Sequence, residues 1–321
     1  MKISISQDTF PLAEVFTISR GSRTVAEVLT VGLERNGIMG FAECVPYKRY
    51  DETLDTVTAQ ITGMPEDFTR ATLYDLLPAG AARNALDCAL WDLSAKTTGK
   101  RAWQLAGLKP PRPERTAYTL SLAEPKEMRA QAEKNRCRPI LKIKLGTADD
   151  VPRLEAVREG APKSDIIIDA NEGWSADLYL ELAPHLLRLG VKLVEQPLPA
   201  SEDEALIGMT RPIPICADES CHDRKSLTAL SGKYDVINIK LDKTGGLTEA
   251  LELKKEAQAL GYGIMVGCMV GSSLAMAPAT LVAQEALITD LDGPLLLAKD
   301  RNVKLDYLNY AVHPPKSALW G

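Results

Sequence analysis

Residues 140–145 read ILKIKL, an apolar run in which Lys142 and Lys144 alternate with isoleucine and leucine. Four further apolar runs follow, and each ends on an ionisable residue. They are IIIDAN with Asp169, VKLVEQP with Glu195, PIPICADES with Asp218 and VINIKL with Lys240. From Lys144 onward these residues are 22 to 26 positions apart, about the length of one strand, one helix and two short loops. The spacing predicts five successive βα units, each with an ionisable group at the carboxyl end of its strand.

Eight strand candidates alternate with helices after residue 113. Strands are predicted at residues 115–121, 140–144, 166–169, 193–195, 213–218, 236–240, 263–267 and near 288–290. Helices are predicted at residues 126–135, 149–159, 176–189, 201–209, 226–230 and 247–260. This alternation favours an α/β fold with a closed parallel barrel over an open sheet.

The first part of the chain has a different pattern. Residues 25–31 and 40–43 resemble strands of a meander, with Asn36-Gly37 as a hairpin turn. A helix is predicted at residues 81–96, where an apolar stripe recurs with helical spacing. The run KPPRP at residues 109–113 breaks regular structure. We therefore expect one domain at residues 1–112 and a barrel at 113–297, with a tail at 298–321 that returns to the first domain.

Composition excludes several classes of function. A net charge of −5 over 321 residues gives no basic surface for nucleic acid or membrane. Residues 261–284 carry no charge, but glycines and Pro278 interrupt them, which indicates a strand, a loop and a packed helix rather than a membrane span. The N-terminus MKISISQDTF lacks the apolar core of a signal peptide, so we expect a cytoplasmic protein with reduced cysteines. The sequence is also compatible with a homo-oligomer.

The three carboxylates predict a metal site. Singly, Asp169 or Glu195 could be a helix cap or an ion-pair partner, and Asp218 could cap the next helix. Their joint spacing instead brings three carboxylates to one edge of the barrel, without a histidine at any of the five strand ends. Such an all-oxygen site suits Mg²⁺. His222, in the loop after Asp218, is interpreted as an ordinary loop residue.

The two outer lysines predict proton transfer on opposite faces of a substrate. Strands two and six lie on opposite walls of an eight-stranded barrel, so the amines of Lys144 and Lys240 should face each other. A metal ion can bind a substrate carboxylate and stabilise the enediolate that forms when the α-proton leaves. One lysine could then remove the proton and the other return one from the far side, inverting the stereocentre. Lys142 lies on the same strand face as Lys144, and their like charges should favour the neutral form of Lys144.

At these residues the chain resembles the muconate-lactonising-enzyme branch of the enolase superfamily. The matching segments are LKIKLG, IIIDANEGW, LVEQPL, ADES, INIKLDKTGG and, in the first domain, ARNALDCALWDLSAKTTGK. The resemblance implies a (β/α)7β modified TIM barrel with an N-terminal α+β capping domain. It also implies that Lys144 and Lys240 are the acid/base pair, and that Mg²⁺ binds to three carboxylates, which are Asp169, Glu195 and Asp218. Asn171 and Glu219 match positions that support these ligands.

The end of the eighth strand separates the members of this branch. Here it reads Asp290-Leu291-Asp292, which resembles the dipeptide epimerases, whose carboxylates bind the substrate ammonium. Asp-x-Asp before Gly-Pro could instead form a turn. The resemblance implies a dipeptide substrate of the L-Ala-D/L-Glu type from murein peptides, contacted by Thr119 and Lys142.

The glutamate side chain of such a substrate would need a cation, for which the loop at residues 20–24 offers Arg20 or Arg23. One departure is Gly271, where relatives often carry glutamate. Alternatives are an N-acylamino acid racemase, an o-succinylbenzoate synthase-like enzyme, and a non-catalytic binding protein on this scaffold.

Overall fold

A computed structural model describes all 321 residues. The first part of the chain forms an antiparallel sheet in the order β1-β2-β3. Its strands are β1 (Lys2–Ile18), β2 (Gly21–Arg35) and β3 (Ile38–Cys44). The predicted Asn36-Gly37 turn joins β2 to β3, and both residues have positive φ angles of 54° and 78°, as this hairpin geometry requires. Strand β1 was not predicted.

Four helices follow this sheet. They are α1 (Leu54–Thr62), α2 (Arg70–Leu76), α3 (Ala81–Thr98) and α4 (Ala102–Leu105). The predicted apolar stripe of α3 is buried. Helix α3 lies directly on β3, because a Cβ atom at Gly40 would lie 2.4 Å from the carbonyl oxygen of Ala89. Only glycine permits this close approach of helix and strand.

The rest of the chain forms the predicted parallel barrel. After a short strand β4 (Glu114–Arg115), eight strands follow one another around it in chain order. They are β5 (Tyr118–Leu120), β6 (Ile140–Lys144), β7 (Asp165–Asp169), β8 (Val191–Glu195), β9 (Ile215–Ala217), β10 (Val236–Ile239), β11 (Gly263–Val266) and β12 (Ile288–Thr289). The barrel closes between its first and last strands through a parallel bridge of Thr116 with Thr289.

Helices cover most of the barrel. They are α5 (Pro125–Lys134), α6 (Asp150–Gly160), α7 (Ala176–Arg188), α8 (Leu227–Leu230), α9 (Leu241–Thr244), α10 (Leu247–Ala259) and α11 (Ser273–Val282). The predicted helix at residues 201–209 is wrong, since only a 3-10 turn forms there, at Asp203–Leu206. Gly208 takes a left-handed φ of 72°, and buried polar contacts engage Asp203. No helix combines the length and the apolar character that crossing a membrane requires.

The tail packs against both parts of the molecule. Its strands β13 (Tyr307–Leu308) and β14 (Ala311–Val312) form a small sheet with β4. The predicted single strand at 115–121 is therefore split, because Arg115 pairs with the tail and Tyr118 with the barrel. Trp320 is fully buried, and its indole nitrogen donates to the carbonyl of Cys88 in α3 at 3.0 Å.

Candidate active site

The five ionisable residues of the βα units converge at one end of the barrel. Lys144, Asp169 and Glu195 are the last residues of β6, β7 and β8, and they are neighbours in the strand register. Asp218 and Lys240 directly follow β9 and β10. All five side chains are at most 9% exposed. This is the end of a parallel barrel at which barrel enzymes place their active sites.

The three carboxylates form a compact acidic cluster. Asp169, Glu195 and Asp218 each offer an oxygen, and these oxygens lie within 4.8 Å of one another. Burial, helped by Asp169, raises the pKa of Glu195 to about 7. Three buried carboxylates at this separation repel one another unless a cation offsets their charge. The donor set and its spacing fit a hard divalent ion such as Mg²⁺.

Lys144 and Lys240 contact opposite ends of the acidic cluster. The amine of Lys144 donates to Asp169 at 2.6 Å, and that of Lys240 donates to Asp218 at 2.6 Å. Since β6 and β10 are four strands apart in an eight-stranded barrel, the amines approach from opposite walls. Burial would lower the pKa of Lys240, but Asp218 and Glu195 outweigh it and raise that pKa well above the usual value. A base at this position therefore needs the charge of Asp218 to be offset.

Lys142 lies beside Lys144, as the strand pattern predicts, but carboxylates surround its amine. Its nitrogen lies 2.6 Å from Glu195, 2.8 Å from Asp290 and 3.1 Å from Asp169. Burial opposes the charged form, but these carboxylates raise the pKa of Lys142 well above its usual value. Lys142 is thus a fixed cation.

Two residues that support the cluster were not identified from the sequence. The amine of Lys243, fully buried, donates to a side-chain oxygen of Asp218 at 2.6 Å and to the carbonyl of Asn238 at 3.0 Å. The side-chain amide of Asn238 donates to Glu195 at 2.7 Å. Both residues could have been found from the sequence. Asn238 lies two residues before Lys240 and so shares its strand face, and Lys243 lies about one helical turn after Lys240.

The eighth strand brings Asp290 and Asp292 to the same end of the barrel. Both carboxylates are buried. Asp290 contacts Lys142, whereas Asp292 accepts the backbone amide of Thr119 at 2.6 Å. One oxygen of Asp290 has no hydrogen-bond partner. Burial, with Asp290 close by, raises the pKa of Asp292 to about 7. The predicted residues Thr119, Lys142, Asp290 and Asp292 therefore form one cluster that adjoins the acidic triad.

The loop between β1 and β2 reaches the barrel opening through Arg20. Its guanidinium donates to Glu219 at 2.8 Å and to the carbonyl of Asn171 at 2.7 Å, and it lies 3.2 Å from Glu172. The backbone amide of Asn171 in turn donates to Asp169 at 2.9 Å. These contacts tie the capping loop to groups beside the acidic cluster.

Arg23 is placed differently. Its guanidinium lies 5.8 Å from the centre of the Tyr47 ring and has no hydrogen-bond or ion-pair partner in the protein. It is half-buried on the cap, in a cavity that Arg20 and Tyr47 also line. Of the two candidates, Arg23 keeps its charge available for a ligand.

The loop at Gly271 packs against a buried carboxylate of the cap. A Cβ atom there would lie 2.9 Å from Glu43, a fully buried residue of β3. Glu43 accepts the backbone amide of Ser272 at 2.7 Å and contacts Arg301 at 2.7 Å. The loop after β11 is therefore fixed by contacts with the capping sheet.

Comparison with known proteins agrees with this fold. The family described as "Mandelate racemase / muconate lactonizing enzyme, N-terminal domain" matches residues 1–107, and the "Enolase C-terminal domain-like" family matches residues 127–302. The chain belongs to the enolase superfamily. It is 49% identical over 288 residues to an N-acetyl-D-glutamate racemase of Pseudoalteromonas sp., covering 88% of this chain and 91% of the relative. It is 43% identical to the L-Ala-D/L-Glu epimerase of Escherichia coli strain K12, covering 97% and 99%.

Solved structures of superfamily members are also similar. An enolase family member from Agrobacterium tumefaciens with homology to dipeptide epimerases, bound to sodium and L-Ala-L-Glu, has a TM-score of 0.97. It is 52% identical and 99% of each chain is covered. A dipeptide epimerase from Cytophaga hutchinsonii in complex with Mg and D-Ala-L-Val has a TM-score of 0.91 and 27% identity, covering 98% of this chain and 92% of that one.

Proposed function

We propose that the protein is a Mg²⁺-dependent epimerase of dipeptides of the L-Ala-D/L-Glu type, acting on the α-carbon of the C-terminal residue. The observation that carries the proposal is the placement of Lys144 and Lys240 at the two ends of the acidic triad. The relatives named as epimerases, and the solved complexes with Mg and with dipeptides, support it. Because L-Ala-Glu units occur in murein peptides, the proposal includes a role in their turnover.

Inversion requires two proton-transfer groups on opposite faces of one carbon. The neutral amine of one lysine removes the α-proton, and the ammonium of the other returns a proton from the far side. The two lysines exchange roles when the reaction runs in reverse. When bound to Asp169, Glu195 and Asp218, Mg²⁺ supplies positive charge next to the substrate carboxylate and so stabilises the deprotonated α-carbon. Lys142 stays protonated and limits the repulsion between the surrounding carboxylates.

Recognition of the substrate ammonium is assigned to Asp290 and Asp292. Both carboxylates are buried, with Asp290 beside Lys142 and Asp292 accepting the backbone amide of Thr119. Asp290 still has an oxygen without a partner. An ammonium at this place would complete its hydrogen bonds, because a buried acceptor without a partner is costly.

For the substrate side-chain carboxylate we favour Arg23 over the predicted Arg20. Arg20 is already bound by Glu219 and by Glu172, so a further anion would have to displace a protein carboxylate. Arg23 has no such partner. Arg20 is instead assigned to holding the capping loop against the barrel.

The second candidate is racemisation of N-acetylglutamate, which the Pseudoalteromonas relative favours. Both candidate substrates carry glutamate as the reacting residue. The dipeptide has a charged ammonium group, whereas N-acetylglutamate has a neutral acetyl group in its place. Purified protein with Mg²⁺ in D₂O should place deuterium at the glutamate α-carbon of L-Ala-L-Glu. The same incubation with N-acetylglutamate gives the competing rate.

Substitution of the two aspartates separates these candidates. In Asp290→Asn and Asp292→Asn we expect kcat/KM for L-Ala-L-Glu to fall at least about 10-fold, since the ammonium loses its counter-charge. The exposed Asp67→Asn serves as the control. The racemase would be favoured if the wild-type protein exchanged N-acetylglutamate faster than L-Ala-L-Glu, and if neither aspartate substitution changed the rate with N-acetylglutamate. Absence of exchange with either substrate would contradict both candidates.

A further inference from the structure

Gln196 directly follows Glu195, and it contacts residues near the other two carboxylates of the triad, Asp169 and Asp218. It is completely buried and has a positive φ of 34°, which is uncommon for a residue other than glycine. Its backbone amide donates to the carbonyl of Cys216 at 2.8 Å, and its carbonyl accepts the amide of Glu172 at 2.9 Å. Its side-chain oxygen accepts the backbone amide of Asp218 at 2.9 Å.

The other end of the Gln196 side chain is held by a buried polar network. Its amide nitrogen lies within 3.0 Å of the Ser220 and Tyr234 hydroxyl oxygens. Both hydroxyls donate to one oxygen of Asp203, at 2.7 and 2.9 Å, and Lys233 donates to the other at 2.7 Å. The network joins the fourth βα unit to the fifth, and Asp203 lies in the segment where a helix was predicted.

We propose that Gln196 is a positioning residue for the metal-binding carboxylates, and that Asp203 and Lys233 hold its amide in place. Gln196 is covalently joined to Glu195 and hydrogen-bonded to the backbone of Asp218. One residue therefore sets the separation of two ligands. Through the amide of Glu172 it also restrains the loop that follows Asp169. The inference rests on the proposed Mg²⁺ site and adds the residues that set its geometry.

The test is Mg²⁺ affinity, measured by calorimetric titration of the purified protein with magnesium chloride. Gln196→Met keeps the length of the side chain and removes both its donor and its acceptor. We expect its dissociation constant for Mg²⁺ to rise about 10- to 100-fold, as for other residues that orient metal ligands. Ser220→Ala, which removes one hydrogen bond to Asp203, should raise the dissociation constant for Mg²⁺ by a smaller factor. The exposed Gln60→Met is the matched control.

Activity against Mg²⁺ concentration separates positioning from a general loss of structure. In a folded Gln196→Met protein the Mg²⁺ needed for half-maximal epimerisation should rise by the same factor as the dissociation constant, and high Mg²⁺ should restore most of kcat. A fall in kcat that Mg²⁺ does not restore would overturn the inference. So would dissociation constants within twofold of wild type in the folded variants. If Gln196→Met does not fold, Ser220→Ala decides: a dissociation constant for Mg²⁺ within twofold of wild type would overturn the inference.

Failure of the inference and failure of the proposed function give different results. Wild-type protein that binds Mg²⁺ and epimerises the dipeptide, with both variants unchanged, rejects only the role of Gln196. Wild-type protein that binds no Mg²⁺ up to millimolar concentration rejects both.

Discussion

The second and third βα units differ from the fourth and fifth in how they hold their strand ends. Both pairs place ionisable residues at nearly equal spacing along the chain. The second and third units use full helices, α6 and α7, of 11 and 13 residues. The fourth has one 3-10 turn, and the fifth adds to its own 3-10 turn only the four-residue helix α8.

The forces differ accordingly. Leu154 and Val157 of α6, and Tyr179, Leu182 and Leu186 of α7, are buried against the barrel. Each such apolar side chain contributes about 1.5 to 3 kcal/mol without fixing a direction. In the fourth and fifth units apolar side chains such as Leu206 and Leu227 are also buried, and hydrogen bonds among Gln196, Ser220 and Asp203 are added to this packing. Apolar packing therefore stabilises both sides of the barrel, and the side with the shorter helices adds directional contacts next to two of the three clustered carboxylates.

The largest expected effect tests the two lysines that flank these four units, Lys144 at the end of the second strand and Lys240 directly after the sixth. Lys144→Met and Lys240→Met should each lower epimerisation at least about 1000-fold, because each removes one proton-transfer group. The remaining lysine can still exchange the α-proton of one epimer with D₂O. We therefore expect deuterium uptake without inversion, from opposite epimers in the two variants, by NMR. The exposed Lys163→Met is the control; inversion at more than a tenth of the wild-type rate in either variant would contradict the two-base assignment.

A smaller effect is expected in the apolar units. Leu182→Ala removes a side chain that is 2% exposed, and it should lower the free energy of unfolding by about 2 to 5 kcal/mol. Mg²⁺ affinity of the folded variant should stay within twofold, because no hydrogen bond to a metal-binding loop changes. Denaturant unfolding and calorimetry measure the two quantities. A tenfold loss of Mg²⁺ affinity would remove the distinction between the two pairs of units.

The sixth unit offers a third case, in which a polar contact joins barrel and cap. Asp242 of α9 accepts the amide of Val45 at 3.1 Å and the side chain of Asn84 at 2.7 Å. Burial raises its pKa to about 7, above the value near 3.9 of an unfolded chain. The folded state thus binds the proton more tightly, so the contribution of this group to stability falls as pH rises from about 4 to 7 and stays low above it.

Asp242→Asn removes this titration and keeps the accepting oxygen. Thermal unfolding should show the variant gaining on wild type as pH rises from 5 to 8. Three pKa units correspond to about 4 kcal/mol, and we expect roughly half of it because the protein relaxes around a buried charge. A difference between variant and wild type that does not change with pH would mean that Asp242 is not protonated in the folded state near neutral pH.

The barrel strands could be predicted because each apolar run ends on an ionisable residue at regular spacing along the chain. The ends of β6 and β7 lie where the sequence placed them. Strand β1 was missed because its side chains are mostly exposed or half-buried, and its order depends on pairing with β2. The helix predicted at residues 201–209 was wrong for a related reason, because the local structure there depends on distant contacts. Asp203 has hydrogen-bond partners about 17 to 30 residues away in the chain.

Within the site, residue types were easier to predict than partners. The carboxylates and lysines are recognisable from spacing, and their convergence follows from the barrel. The contact of Arg20 with Glu219 spans 199 residues and two sheets, so no local pattern encodes it. Gln196 was also missed. Its signal is weak, because a glutamine after a strand normally lies in a solvated loop.

The way the barrel closes has a consequence for ligand binding. A single bridge joins the first and last strands at Thr116 and Thr289. The hydroxyl of Thr116 also accepts the amide of Leu291, and the amide of Thr119 donates to Asp292. Groups that we assign to the substrate ammonium thus lie directly on the seam. A bound dipeptide would therefore contact groups on both sides of this closure and add to the few hydrogen bonds that join the two edges of the sheet.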